Sequence, residues 1–366
     1  MTALSETGRR HATQQAQDLL DKGFLDEPWA EAFAHTPRHL FLPSFYSQIG
    51  DSWKIITPDT VGEQRWLQLV YLDVTWVQRL HGPDSAPDTP ASSCIQPSLA
   101  AQMLTALAIG PGARVCEVGL GTGWLTALLS HRCGSENVIG VELDPELIHQ
   151  AHISLTRLSH HPTLICADGY NARPESAPYD GILSTAEVTH LPEPWLAQTK
   201  PDSRIVTPLR GAIAVIEIRH QGQATGRFLP EPIHILPLRT PRDHAHMLPA
   251  RTGASAARTT SMITSLRDPR FRFVVGLSDP TIKIADLGLL GDLLLADDRG
   301  SSAQVSAFGH VDAQGTRDLW AAVSHIQEWW EHSGRPGPAD FLIEVDQSLQ
   351  WATLPRAQPE RRWRIR

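Results

Sequence analysis

The chain has 366 residues, 41% of them hydrophobic, enough to bury a sizeable core and to form more than one domain. Its 32 basic and 40 acidic residues leave a formal net charge of -8, which offers no chain-wide attraction to a phosphate backbone and argues against nucleic acid as the principal partner. No apolar run reaches the roughly 18 to 20 residues that span a bilayer, and the first twenty residues lack the apolar stretch of a secretory signal, so the sequence reads as cytoplasmic with no membrane partner.

In chain order, the pattern predicts an opening helix around residues 9 to 22 and a loop over "HGPDSAPDTPASS" (81–93), rich in Pro, Ser and Asp. An alternating series follows. "SLAAQMLTAL" places Leu99, Met103 and Leu107 at helical spacing after Pro97, "RVCEV" reads as a buried strand, "WLTALLSHR" as a helix and "NVIGVE" as the next strand. A helix over 145–158 has a clear start, with Asp144 as N-cap and Pro145 in the first turn. Its apolar stripe is Leu147, Ile148, Ala151, Leu155 and Leu158. "TLICA", "DGILST" and "RIVTP" then read as further parallel strands, and the whole series as a doubly wound α/β sheet. Beyond about residue 240 the pattern loosens into a separate α+β domain, with "TRDLWAAVSHIQEWWEHSG" helical and Trp329-Trp330 placed for interdomain packing.

The turn after "RVCEV" is the first chemical signal. Gly119, Gly121 and Gly123 give G-x-G-x-G, and Trp124 stands where the dinucleotide fingerprint needs its third glycine, so a pyrophosphate is poorly served. Glu117 precedes the turn, where an anion attracts a cationic ligand. Glu142 ends the next strand, suitably placed for ribose hydroxyls, and Asp168-Gly169 ends the third, where a carboxylate and a tight turn can meet an adenine amine. Three acids on successive strand ends fit S-adenosyl-L-methionine, whose sulfonium is positive; the plainer alternative is a tight turn flanked by solvated acids. No metal is expected, because His244-x-His246 and His160-His161 have no further ligands at useful spacing. Asp297-Asp298 reads as a solvated turn, and no G-x-S-x-G signals a serine hydrolase. The four cysteines, Cys94, Cys116, Cys133 and Cys166, sit singly, as reduced thiols do.

Two flanking stretches carry a family resemblance. "LLDKGFLDEPWAEAFAHTPRHLFLP" (19–43), with Pro37, Arg38, His39, Phe41 and Pro43, and "DGYNARPESAPYDGILSTAEVTHLPEPWLAQTKPDSRIVTPL" (168–209) resemble the protein-L-isoaspartate O-methyltransferases over roughly residues 12 to 240. That resemblance implies a Rossmann-like class I S-adenosyl-L-methionine-dependent methyltransferase with an N-terminal helical extension and a separate C-terminal α+β domain. It divides the chain into an N-terminal family-specific segment (1–85), the methyltransferase core (86–240) and an accessory domain (241–366). It assigns the cofactor to Glu117, Gly119, Gly121, Gly123, Glu142, Asp168 and Gly169. Tyr71 and Asp73 stand for the family's Tyr-x-Asp, and in "SSCIQP" Gln96 and Pro97 match, while Ile95 occupies the position of the family's active-site serine. Ser92 and Ser93 then join Tyr71 and Asp73 as the groups that place the substrate carboxylate, unless "SSC" is only a solvated turn.

A carboxylate with a pKa of about 4 is already ionised at neutral pH, so catalysis rests on in-line positioning and not on a general base. The lengthened connection before Ser93, "GSSAQV" (300–305) and "GTRDLW" (315–320) resemble relatives that mature ribosomally made peptides of the lanthipeptide or graspetide kind. Those relatives imply methylation of a normal aspartate in a precursor peptide, closure to an aspartimide and hydrolysis to isoaspartate. General isoaspartate repair, and a non-catalytic peptide-binding homologue, remain the alternatives at this point.

Overall fold

The computed structural model describes residues 6–50, 52–82, 89–220, 222–241, 256–259, 263–287, 291–356 and 361–366. At its centre five parallel strands lie side by side in the order Thr163–Cys166, Val138–Glu142, Val115–Val118, Tyr179–Ser184 and Thr199–Leu209. Every residue of Val115–Val118 and Val138–Glu142 is buried, as expected of strands covered on both faces. The helix Pro145–Arg157 starts where its cap places it: the Asp144 carboxylate accepts the Glu146 N–H at 2.9 Å. It buries Leu147, Ala151 and Leu155, and the Ser154 hydroxyl donates to the Leu40 carbonyl at 3.0 Å, which seats the N-terminal segment on it.

The helix Trp124–Cys133 is buried on nearly all sides, because the sheet covers one face and the N-terminal helices the other. Phe33, from the helix Glu27–His35, meets Trp124 edge-on at 5.4 Å, and the Trp124 indole N–H donates to the Thr36 carbonyl at 3.2 Å. Ahead of the core, four antiparallel strands form a small sheet in the order Ser52–Ile56, Phe45–Ile49, Trp76–Leu80 and Pro90–Cys94. The loop expected over 81–93 is corrected in its second half. Residues 90–93 are strand, paired to Trp76–Leu80 as an edge, where Pro90 needs to supply no ladder N–H. Residues 83–88 of that loop lie outside the described residues.

After Thr199–Leu209 the sheet turns antiparallel through Ala212–His220 and Gln223–Pro232, and then recruits Leu342–Asp346, Leu349–Leu354 and Arg361–Arg364 to reach ten strands. The C-terminal region therefore divides in two. One part is an extra sheet of five strands, Ala256–Thr259, His310–Gln314, Ser302–Val305, Asp292–Ala296 and Lys283–Leu287; the other continues the central sheet. One apolar core runs from Cys116 and Ile182 through Ile216 and Phe228 to Ile343 and Trp363. Trp329, on the helix Leu319–His332, stands edge-on to Trp363 at 5.1 Å, and Trp330 is buried with its N–H on the Pro336 carbonyl at 2.9 Å. His244 and His246 lie outside the described residues.

Candidate active site

The parallel strands end together, and their carboxyl ends open a cleft with two connected lobes that share Ser93, Gly119, Gly121 and Thr185. The first lobe adds Glu142, Leu143, Leu147, Gly169 and Leu238; the second adds Thr75, Ile95, Glu117, Thr122 and His234. This is the binding edge of open α/β sheets. The glycines are required in different ways. Gly119 and Gly121 have φ of +77° and +54°, in the left-handed region, and face the cleft. Gly123, at φ +83°, caps the helix Trp124–Cys133, and a Cβ there would lie 2.9 Å from that of Ala151. It belongs to the packing beneath the turn and not to the cleft wall.

Glu142 is buried and holds the turn in shape. One carboxylate oxygen accepts the N–H of Leu143 at 2.8 Å and of Asp144 at 3.1 Å, and the other accepts the Gly121 N–H at 3.1 Å. An ionised carboxylate has about four acceptor positions, so three are used and one remains toward the cleft for a hydroxyl. Gly169 lines the same lobe, and a Cβ on it would sit 2.5 Å from Val118 Cγ1. Asp168 flanks it, with one oxygen accepting the Tyr170 N–H at 3.0 Å as the cap of its own turn.

Glu117 lies at the bottom of the second lobe. One oxygen accepts the Thr126 hydroxyl at 2.5 Å, and the other is buried with no partner among the described residues. Burial, with the nearby Glu142 adding to it, pushes the carboxyl up to about 8 against the pull of the Thr126 hydrogen bond. Its folded pKa is thus above the unfolded one, so the stabilising contribution is complete below about 4.5 and is lost as pH rises through about 8. At pH 7 the free protein carries an unfavourable term on the order of 3 kcal/mol from this group. Glu117→Gln is therefore expected to raise the Tm of the ligand-free protein at pH 7.5 and leave it nearly unchanged at pH 4.5; thermal scans at the two pH values check this.

Two segments roof the cleft. The hairpin of Trp76–Leu80 and Pro90–Cys94 is tied to the core by Arg79 and braced internally by Ser92. Arg79 pairs with Asp144 at 2.5 Å, and the Ser92 hydroxyl donates to Gln78 Oε1 at 3.1 Å beside Gly121. On the other side the chain after Pro232 is held by the Glu187 N–H on the Leu236 carbonyl at 2.9 Å and the Leu238 N–H on the Glu187 carbonyl at 2.7 Å. That strap carries His234 into the second lobe and Arg239 into the first. Arg239 lines the first lobe, and its charge, after burial, holds His81 below the usual imidazole range. Neither His234 nor Arg239 is marked by any motif, and only the apolar alternation of "IHILPLR" hints that the stretch is structured.

Of the four residues expected to place a substrate carboxylate, the structure brings Ser92 and Ser93 to the cleft. The Ser93 hydroxyl has no hydrogen-bond partner among the described residues and faces both lobes, while Ile95 adds an apolar wall to the second. The expectation for Tyr71 and Asp73 is corrected, since neither lines either lobe. The Tyr71 hydroxyl donates to the Gly8 carbonyl at 3.2 Å and accepts from His39 Nδ1 at 2.8 Å, with its ring stacked on His11 at 5.3 Å. Asp73 accepts the Ser98 N–H at 2.8 Å, satisfying a free donor at the start of the helix Pro97–Leu107. Tyr71→Phe is accordingly expected to cost about 1 kcal/mol of stability and to change kcat less than threefold, as urea unfolding and initial rates would show.

A parallel sheet with a glycine turn after its first strand, an acid at the end of the next and Trp124 where a dinucleotide site needs its third glycine is the architecture of a class I S-adenosyl-L-methionine-dependent methyltransferase. The family described as Protein-L-isoaspartate(D-aspartate) O-methyltransferase (PCMT) matches residues 13–227, more than half of the chain, and the chain belongs to that family. It is 38% identical over 198 residues to the Protein-L-isoaspartate O-methyltransferase 2 of Nitrosococcus oceani, covering 53% of this chain and 74% of that protein. With the Protein-L-isoaspartate O-methyltransferase of Thermotoga maritima it shares 30% identity over 193 residues, 52% of this chain, and there it spans only about half (53%) of the relative's length. A solved structure named protein-L-isoaspartate O-methyltransferase covers 91% of this chain and 96% of its own at 20% identity and a TM-score of 0.53, a likeness of fold. The family is one of S-adenosyl-L-methionine-dependent protein carboxyl O-methyltransferases. Among the described residues no helix is long and apolar enough to cross a membrane.

Proposed function

We propose that the protein methylates an aspartyl carboxylate in a peptide, and that its substrate is a normal aspartate of a ribosomally made precursor. The observation that carries the reading is the second lobe itself: an unpartnered buried Glu117 oxygen lies at its base, with the free Ser93 hydroxyl and the apolar Ile95 on its walls. The residues fit the cofactor on two counts. The orphaned Glu117 oxygen suits the charge of a cationic ligand, and the spare acceptor position of Glu142 suits a ribose hydroxyl. Gly169 and Leu147 would flank its base, and Asp168, next to Gly169 in the chain, is the acid proposed to meet the base's amine, although it lines neither lobe.

When bound, S-adenosyl-L-methionine supplies a methyl group on positively charged sulfur, which the acceptor carboxylate takes up as a methyl ester. The chain's own task is placement, worth several kcal/mol of barrier when the acceptor oxygen is held in line. Ser93 orients the acceptor by donating to one carboxylate oxygen, with Ser92 beside it. Arg239 draws the anionic peptide to the cleft. Ile95 removes a competing donor from the wall and leaves the carboxylate less solvated. The ester then makes the side-chain carbonyl an acyl donor; the following backbone nitrogen attacks it, methanol leaves, and the aspartimide hydrolyses to isoaspartate. The accessory sheet, with the strands that join it to the core, supplies surface for the precursor, and the cytoplasm, where reduced cysteines persist, is the compartment.

A second reading, repair of isoaspartyl residues in proteins generally, is favoured by the relatives, which carry that name at 38% and 30% identity. Intact-mass analysis with S-adenosyl-L-methionine and two substrates separates the readings: a precursor peptide encoded beside the gene, and a generic isoaspartyl peptide. A methyl gained on the precursor, followed by loss of methanol, supports the proposal. A methyl gained only on the isoaspartyl peptide supports repair, and no change on either leaves a peptide-binding homologue.

A further inference from the structure

On the face formed by the N-terminal segment and the core, Glu31 and His35 lie one helical turn apart on Glu27–His35, and His131 lies in the last turn of Trp124–Cys133. All three are exposed, and one ligand atom from each falls within 4.8 Å of the other two. The His35 and His131 rings are stacked, 5.4 Å apart and 10° from parallel, and His160 stands edge-on to His131 at 6.5 Å. These residues are separated along the chain and meet only because the two helices pack through Phe33 and Trp124.

One hydrogen bond at the cluster already suits a metal. His35 Nδ1 lies 2.9 Å from the Glu31 carbonyl, which can only accept, so Nδ1 is the donor and Nε2 is the ring atom left to face a ligand. This is the outer hydrogen bond that metal-ligating histidines make. Neutral imidazoles are the form that binds metal.

We propose that Glu31, His35 and His131 form a site for a divalent cation of the zinc type, with solvent completing the coordination. Two imidazoles and one carboxylate are a recurrent zinc donor set with a fourth position open. Exposed side chains need only rotate to bring their ligand atoms from the present spacing to the roughly 3.3 Å implied by bonds of about 2.0 to 2.1 Å. Such an ion would tie the helix Glu27–His35 to the helix Trp124–Cys133, and would stabilise the fold in proportion to its occupancy. The site is independent of how the cleft is read.

The test uses the full chain, free of any histidine tag and dialysed against chelator, titrated with ZnCl2 in a calorimeter and with Co2+ followed by visible absorption. The wild type is expected to take up one equivalent tightly and to give the spectrum of a four-coordinate Co2+ ion. His35→Ala and His131→Ala should bind at least about tenfold more weakly, and His220→Ala, at an exposed histidine outside the cluster, should match the wild type. Glu31→Gln, nearly isosteric, keeps the comparison valid should an alanine variant fail to fold. Absence of a one-to-one site, or equal affinity in the wild type and the cluster variants, overturns the proposal.

Discussion

Arg38→Met is expected to destabilise the protein by on the order of 4 kcal/mol and to disorder the cleft with it. The Arg38 side chain is fully buried, and its guanidinium donates to the carbonyls of Val70 at 2.7 Å, Leu72 and Val74 at 3.2 Å, and Ile95 at 2.8 Å. It also lies over the Trp124 ring at 5.2 Å. Removing it strips several carbonyls of a charged donor at once, each a loss of about 1 to 3 kcal/mol where burial keeps water out. Because one fork of donors joins the 70–74 turn to the Ile95 wall of the second lobe, Arg38→Lys should recover less than half of the loss. Urea unfolding checks both, as a lowered midpoint at unchanged slope. A near-neutral Arg38→Met would mean that the turn and the wall hold themselves.

The second large effect is on the ligand. Glu142→Ala is expected to weaken S-adenosyl-L-methionine at least about a hundredfold, roughly 2.7 kcal/mol, while costing less in stability than Arg38→Met. The carboxylate acts twice, shaping the turn through the Gly121, Leu143 and Asp144 N–H groups and offering its remaining acceptor position to the cleft. Calorimetric titration of the variant gives the answer, and an affinity within threefold of wild type would remove Glu142 from the site.

How much of this was legible beforehand depends on how local the signal is. The parallel strands and their helices were written in apolar runs, Asp144-Pro145 and the glycine turn, because burial on both faces and capping act within a few residues. Of the three acids read from strand ends, Glu142 and Glu117 line the cleft, while Asp168 lines neither lobe and caps its own turn. What the sequence hid was long-range. Leu342–Asp346 pairs with Gln223–Pro232 as well as with its chain neighbour, and nothing in "FLIEVD" names that partner. Pro90–Cys94 has a loop's composition and becomes strand only because Trp76–Leu80 lies alongside. Arg38, Tyr71 and Asp73 belong to family motifs, yet their polar atoms are spent on tethering backbone and capping a helix; a motif marks a residue without saying which way it faces. Glu31 and His35 stand at i,i+4 spacing, but His131, on another helix, has no spacing that links it to them.

The most direct test of the central claim is a crystal structure of the chain with S-adenosyl-L-homocysteine. The product is expected in the cleft at the ends of the parallel strands, with its ribose on the Glu142 carboxylate, its base beside Gly169 and its amino acid end toward Glu117 and Ser93. Binding elsewhere, or a Glu142 carboxylate that makes only its three backbone contacts while the ligand sits apart from it, would contradict the account.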